Sequence, residues 1–185
     1  MIVKTHRSSV LSATAVALMV LCGTASAAGL CSNQTLKGPY GFSAKGEALG
    51  ILDSANVLHA FPTPAPLDDV AIVTFNGAGS FSRTDFGNVS GVPKGGQTAF
   101  NPNQNGRYTL NSDCTGNMTI NYDNGVVLVL QMVVDSDASE VRAIISTEYV
   151  PGAGKAADGT SCTSGCYEGV QVSLEGKRVL FYGFR

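Results

Sequence analysis

GRYTLNSDCTGNMTINYDNGVVLVLQMVV, residues 106–134, is the stretch on which the fold turns. Tyr108 and Leu110, then Met118, Ile120 and Tyr122, then Val126, Leu128, Leu130, Met132 and Val134 recur at every second position. That period sets each group on one face of a strand. Between the runs, Ser112-Asp113-Cys114-Thr115 and Asp123-Asn124-Gly125 supply the residue types that tight hairpins need. Three antiparallel strands follow. The third, Val126 to Val134, is apolar on both faces, so its outer side is either covered or a homo-oligomer interface.

Outward from this meander the same grammar continues. Asp135 to Ser139 turns the chain into Glu140 to Tyr149, where Val141, Ala143 and Ile145 alternate with Arg142, Ile144 and Ser146. Towards the N-terminus, Tyr40 to Glu47 carries Tyr40, Phe42 and Ala44 on one face, and Asn76-Gly77-Ala78-Gly79 joins Asp69–Phe75 to Ser80–Val89. Towards the C-terminus, Tyr167–Leu174, a turn at Glu175-Gly176-Lys177 and Arg178–Phe184 complete nine strands. Three connections read as long: Ile51 to Asp68, with Pro62, Pro64 and Pro66, which cannot donate to a central ladder; Ser90 to Asn105; and Val150 to Cys166. The expected fold is all-β, an antiparallel up-and-down meander of about eight or nine strands closed into a small barrel, because closure removes exposed edges. The alternative is a β-sandwich.

Residues 1–27 read as a secretory signal peptide: Lys4, His6 and Arg7 precede an apolar run from Val10 to Cys22, and Ala25-Ser26-Ala27 offers a cleavage site. The apolar run is short for a bilayer span. Neither Cys22 nor Cys31 follows the small residue that a lipoprotein cleavage site needs, so no stable membrane anchor is expected. Residues 28–185 then form a single β-barrel domain, secreted or periplasmic. Ten of the 12 Lys and Arg remain in it against all 14 Asp and Glu, a net charge of about −4. Nucleic acid is excluded as a partner by that balance, since phosphate binding needs a cationic footprint.

Export gives the cysteines their meaning. Cys31, Cys114, Cys162 and Cys166 are an even set in an oxidising compartment, and two disulfides are the expected outcome. Zinc would want a tight C-x-x-C pair twice, which the chain lacks, so no metal is expected. Parity assigns the pairs. If each strand reverses the last, the three long connections share one barrel end, and Cys31 and Cys114 fall at the other. The expected bonds are therefore Cys31–Cys114 and Cys162–Cys166.

The long-loop end is where loops on a rigid barrel would bind a small ligand. Leu58, His59, Phe61 and Phe100 lie in its connections, and Glu47, Glu148 and Tyr149 lie at the strand ends beside it; these are the candidate ligand-binding residues. His59 is the only histidine after residue 27. Arg83, Asp85 and Arg142 lie on strands, but in Ser80–Val89 the sets Phe81/Arg83/Asp85 and Ser80/Ser82/Thr84/Phe86 could each face inward. No catalytic motif is present: Gly152-Ala153-Gly154-Lys155 lacks the remaining residues of a phosphate loop, Asp135 to Glu140 lacks the glycine and spaced glutamate of a calcium loop, and no Gly-x-Ser-x-Gly occurs. No cofactor is implied.

Cys31-Ser32-Asn33-Gln34-Thr35-Leu36-Lys37-Gly38-Pro39-Tyr40-Gly41-Phe42, Phe75-Asn76-Gly77-Ala78-Gly79-Ser80-Phe81 and the turn at Asp113-Cys114-Thr115-Gly116 resemble segments of uncharacterised secreted bacterial β-proteins. In general shape the chain is similar to calycin or allene-oxide-cyclase-like barrels. That resemblance implies binding of apolar molecules, or the shaping of a reactive ligand for isomerisation or cyclisation; it carries over no catalytic residue. Three functions are consistent with the sequence: a barrel binding a small, largely apolar molecule at its long-loop end, a cofactor-free isomerase or cyclase on the same barrel, and a structural or adhesive surface protein with a filled barrel.

Overall fold

The computed structural model describes residues 30–180, so the expected signal segment and residues 181–184 of the expected last strand lie outside the described residues. Nine strands are present among the described residues: β1 Lys37–Leu52, β2 Leu58–Asn76, β3 Ser80–Val89, β4 Val92–Pro93, β5 Asn101–Leu110, β6 Thr115–Asn121, β7 Val127–Val134, β8 Glu140–Val150 and β9 Cys166–Arg178. Short helical turns lie at Asn33–Thr35 and Lys94–Gly96. Each long strand pairs antiparallel with the next, β3 passing to β5, and β9 returns to β1. The result is a closed eight-stranded up-and-down barrel, with β4 appended beside β3. Among the described residues no helix is long and apolar enough to cross a membrane.

Two expected connections are corrected. Ile51 to Asp68 is not a loop: β1 runs on to Leu52, and β2 begins at Leu58 after a five-residue turn whose Asp53 side chain accepts from the amides of Ala55 and Val57. The prolines sit in the strand where no ladder needs their missing donors: the β2–β3 ladder ends at Leu67↔Val89, the β1–β2 register jumps from Ala48↔Ala65 to Gly50↔Ala60, and Pro62 and Pro64 lie in residues 61–64, which pair with neither neighbour. Ser90 to Asn105 likewise holds β4, a helical turn and the start of β5.

Glu175-Gly176-Lys177 is not a turn either; β9 passes straight through it. Gly176 is there for space, since a Cβ at that position would lie 2.4 Å from the Phe42 ring.

Both disulfides join the expected partners, Cys31–Cys114 and Cys162–Cys166, as suits a chain maturing in an oxidising compartment. The first lies at the barrel floor. There the segment before β1 is tucked under the strands: the Tyr108 hydroxyl donates to the carbonyls of Asn33 and Leu36, the Leu110 amide donates to the Asn33 side chain, and Leu36 is fully buried.

Inward positions graduate in size from floor to mouth. On β1 they run Tyr40, Phe42, Ala44, Ala48; on β2, Phe75, Val73, Ala71, Asp69, Leu67, Ala65. Phe75 is the centre of the floor, edge-on to Tyr40 at 5.4 Å and to Tyr108 at 5.0 Å, with Phe81 at 5.6 Å. The lower half is filled by these rings and by Met118, Leu130 and Met132. Towards the mouth, alanines replace the rings.

The outer face of β7 is not uniformly covered. Val127 and Val129 are half-buried, while Val133 is 52% exposed beside Ile144 at 58%.

Candidate functional site

The change from rings to alanines leaves a cavity of about 170 Å³ in the upper barrel. Its aliphatic wall includes Ala44, Ala48, Ala65, Leu128, Ile145 and Val170; its polar wall is Asp69, Arg83, Lys94, Tyr122, Glu148 and Glu168. A cavity of about 150 Å³ is large enough for benzene, so this one suits a molecule of that order. An open groove of about 780 Å³ crosses the outer face of β6 to β9 and β1, between Ser43, Gln131, Ile144 and Ser173. It is larger, but the buried ionisable groups lie inside the barrel.

Arg83 and Asp85 point inward, 3% and 0% exposed, on the same face of β3 as Phe81. Asp69 shares the inward face of β2 with Val73 and Phe75. The guanidinium binds both carboxylates: Nη2 donates to Asp69 at 2.6 Å, and Nη1 donates to Asp85 at 2.6 Å and to the Tyr122 hydroxyl at 2.8 Å. Gln104 completes the set by accepting from Arg83. Lys94 reaches in from the helical turn after β4, donating to Asp69 at 2.6 Å and also to Asp85, with its ammonium 4.8 Å from the centre of the Tyr122 ring. Two cations thus serve two carboxylates. Among the described residues, no buried side-chain nitrogen or oxygen lacks a partner.

Burial pushes Asp69 up to about 6 despite Arg83 and Lys94. Asp85 meets the same penalty, yet Arg83 and the bonds around it hold its carboxyl below the usual range.

Glu148 reaches the cavity through an irregularity. Val141, Ala143 and Ile145 face inward, and strict alternation would place Glu148 outside. The β7–β8 register shifts between Val129/Leu130, where Leu130 pairs with Ile145 and Val129 with Thr147; Ser146 is the extra residue and donates to the Val129 carbonyl. Past this bulge the even positions point inward, a common use of bulges. Glu148 pairs directly with Glu168 of β9. Burial, then the neighbouring Glu168, push Glu148 up to about 7, with Lys94 opposing, and burial raises Glu168. No protein-family model and no curated protein matches this chain.

The other candidate residues are scattered around the rim. His59, the second residue of β2, lies outside the cavity wall, with Nδ1 2.6 Å from Asp158 and Nε2 3.6 Å from Asp53. It clasps the β1–β2 turn to the 151–165 loop. Phe61 packs on an apolar cluster that joins Ala156 and Cys162 of that loop to Ile51 of β1 and Val150 of β8. Leu58 is exposed, Phe100 lies against Phe86, and Tyr149 packs edge-on to Tyr167. Glu47 and Arg142 are exposed. Of the seven candidate ligand-binding residues, Glu148 alone lines the cavity. Sequence reasoning missed Asp69, Lys94, Tyr122 and Glu168 as site residues; the odd-numbered alternation of Asp69 with Val73 and Phe75 was the available signal for the first. Among the described residues, no group of three or more His, Cys, Asp or Glu side chains is placed to hold a metal ion.

Glu148 and Asp69 hold protons more readily folded than unfolded, where their values are 4.5 and 3.8. Their contribution to stability is full below those values and is lost as pH rises through about 7 and about 6. Thermal melts are therefore expected to show stability rising as pH is lowered from about 8 to about 5, and Glu148→Gln to remove a share on the order of 2 kcal/mol of that change. A flat wild-type profile would contradict it. His59 is raised chiefly by its bond to Asp158, whose own carboxyl is held down to about 2. The clasp is complete below the ordinary histidine value and is lost as pH rises through the raised one. By NMR, His59 should titrate above 6.5 in the wild type and return towards 6.5 in Asp158→Asn.

Proposed function

We propose that this protein is an exported barrel that holds a small, largely apolar molecule in the upper-barrel cavity. The observation that carries the reading is the cavity itself: the lower half of the same barrel is packed with rings, whereas the upper half keeps about 170 Å³ free between aliphatic side chains and a polar wall. A structural barrel would be filled throughout. The ionised network on one wall would orient a bound molecule, and the aliphatic side would supply most of its binding energy. The two disulfides support export to the periplasm or the exterior.

The test is native mass spectrometry of the full chain, expressed with its own leader and recovered from the compartment it reaches, followed by denaturing extraction. A stoichiometric small-molecule adduct is expected, or else saturable uptake of an added aromatic or aliphatic probe of benzene size. A bare polypeptide that takes up no such probe would sink the reading.

A second reading, a cofactor-free isomerase or cyclase, is favoured by one observation. Glu148 stands on the cavity wall with its carboxyl pushed up to about 7, where a general acid or base works at neutral pH. Solvent deuterium appearing at carbon in the recovered molecule, and not with Glu148→Gln, would select it over simple carriage.

A further inference from the structure

We infer that the molecule held in the cavity carries a protonated amine, seated between Glu148 and Glu168 with its apolar part against the aliphatic wall. The inference rests on the binding function proposed above and names the head group that the cavity selects.

Unmatched charge stands on the wall of the cavity. Deep in the barrel, Asp69 and Asp85 are neutralised by Arg83 and Lys94 through direct bonds. Glu148 and Glu168 have no such partner: among the described residues, no Lys, Arg or His nitrogen lies within 4.0 Å of either carboxylate. Yet they are directly paired across β8 and β9, and both line the cavity. Like charges directly opposite one another in a sheet destabilise it.

The chain reaches this pairing through the bulge at Ser146, without which Glu148 would face solvent with Arg142 and Ile144. A local interruption of the ladder thus delivers a second carboxylate to the cavity, where it costs stability in the empty protein. A cation with several N–H donors supplies what both groups lack, and an ammonium offers three. A carboxylate or phosphate ligand would meet two acids whose nearest cations are already engaged. The remaining charged or titratable groups lining the cavity are Lys94 from the helical turn after β4, Asp69 from β2, Arg83 from β3 and Tyr122 from the turn after β6. Burial raises both glutamates, and the like charge of Glu168 raises Glu148 further, so the empty site keeps a proton near neutrality that an arriving ammonium would expel.

The experiment is isothermal titration of the full-length exported protein with three matched probes, benzylamine, benzyl alcohol and benzoate, from about pH 6 to about pH 9 in buffers of different ionisation enthalpy. Benzylamine should bind about tenfold or more tighter than benzyl alcohol at about pH 8, benzoate weakest of all. At about pH 7 its heat should vary with the buffer as a proton leaves the site. In Glu148→Gln/Glu168→Gln the preference for amine over alcohol and the proton release should both vanish. A thermal melt of that variant that stays cooperative reports a folded barrel. Equal binding of amine and alcohol by the wild type, or a preference for benzoate, would overturn the amine assignment and leave the binding function standing. Binding of none of the three would overturn both.

Discussion

Arg83→Met is expected to lower stability by about 3–5 kcal/mol, the cost of leaving buried charge uncompensated. For a domain of this size that corresponds to a fall of roughly 10 °C in Tm. Arg83 is 3% exposed and bonds to Asp69, Asp85, Gln104 and Tyr122 at once. Without it, Lys94 alone faces two buried carboxylates. Lowering the pH towards about 5 should recover part of the loss, because those carboxylates can then take protons. Replacing the whole set together, Asp69→Leu, Arg83→Met, Asp85→Leu and Lys94→Met, should cost less than the single change. Melts followed by circular dichroism at two pH values check both. An Arg83→Met protein within about 1 kcal/mol of wild type would show that the network contributes little to holding the barrel.

Cys31→Ala with Cys114→Ala is expected to cost about 4–5 kcal/mol in a chain-entropy treatment, since the bond spans 83 residues. The bond also pins the segment that seals the floor, where Cys31 donates its amide to the Ser112 carbonyl. Cys162 and Cys166 are only 4 residues apart, and removing their bond should cost on the order of 2 kcal/mol. Denaturant midpoints of the two double variants compare them directly. Equal losses would contradict the loop-length argument.

Much of the fold is legible in the sequence because hairpins are local. The alternation across residues 106–134 and the short turns within it carry their own geometry, and counting reversals places Cys31 at the same barrel end as Cys114 before any contact is known. What is not legible depends on a neighbour. Pro62, Pro64 and Pro66 look like a loop until it is known that the β2–β3 ladder stops at Leu67 and that residues 61–64 pair with neither neighbouring strand, so no ladder needs the missing donors. Gly176 looks like a turn, yet it makes room for Phe42.

The site is less legible than the fold for the same reason. Proximity to strand ends brings Glu148 to the cavity and leaves Leu58, His59, Phe61, Phe100, Glu47 and Tyr149 elsewhere. Glu148 itself depends on a one-residue bulge that no composition rule marks. Lys94 sits among glycines in a connection, and only the fold shows it reaching Asp69 and Asp85.

The seam between β1 and β9 sets the order in which this barrel can form. Among the described ladders it is the one that joins the two ends of the strand sequence; every other pairing links strands that follow closely along the chain. An emerging chain can therefore zip hairpin by hairpin from β1 to β8 and still present two open edges until β9 arrives. Closure is the slow, non-local step, and an unfinished sheet with free edges is the species most exposed to aggregation. The last of the described strands is thus also the one that makes the molecule safe from its own copies.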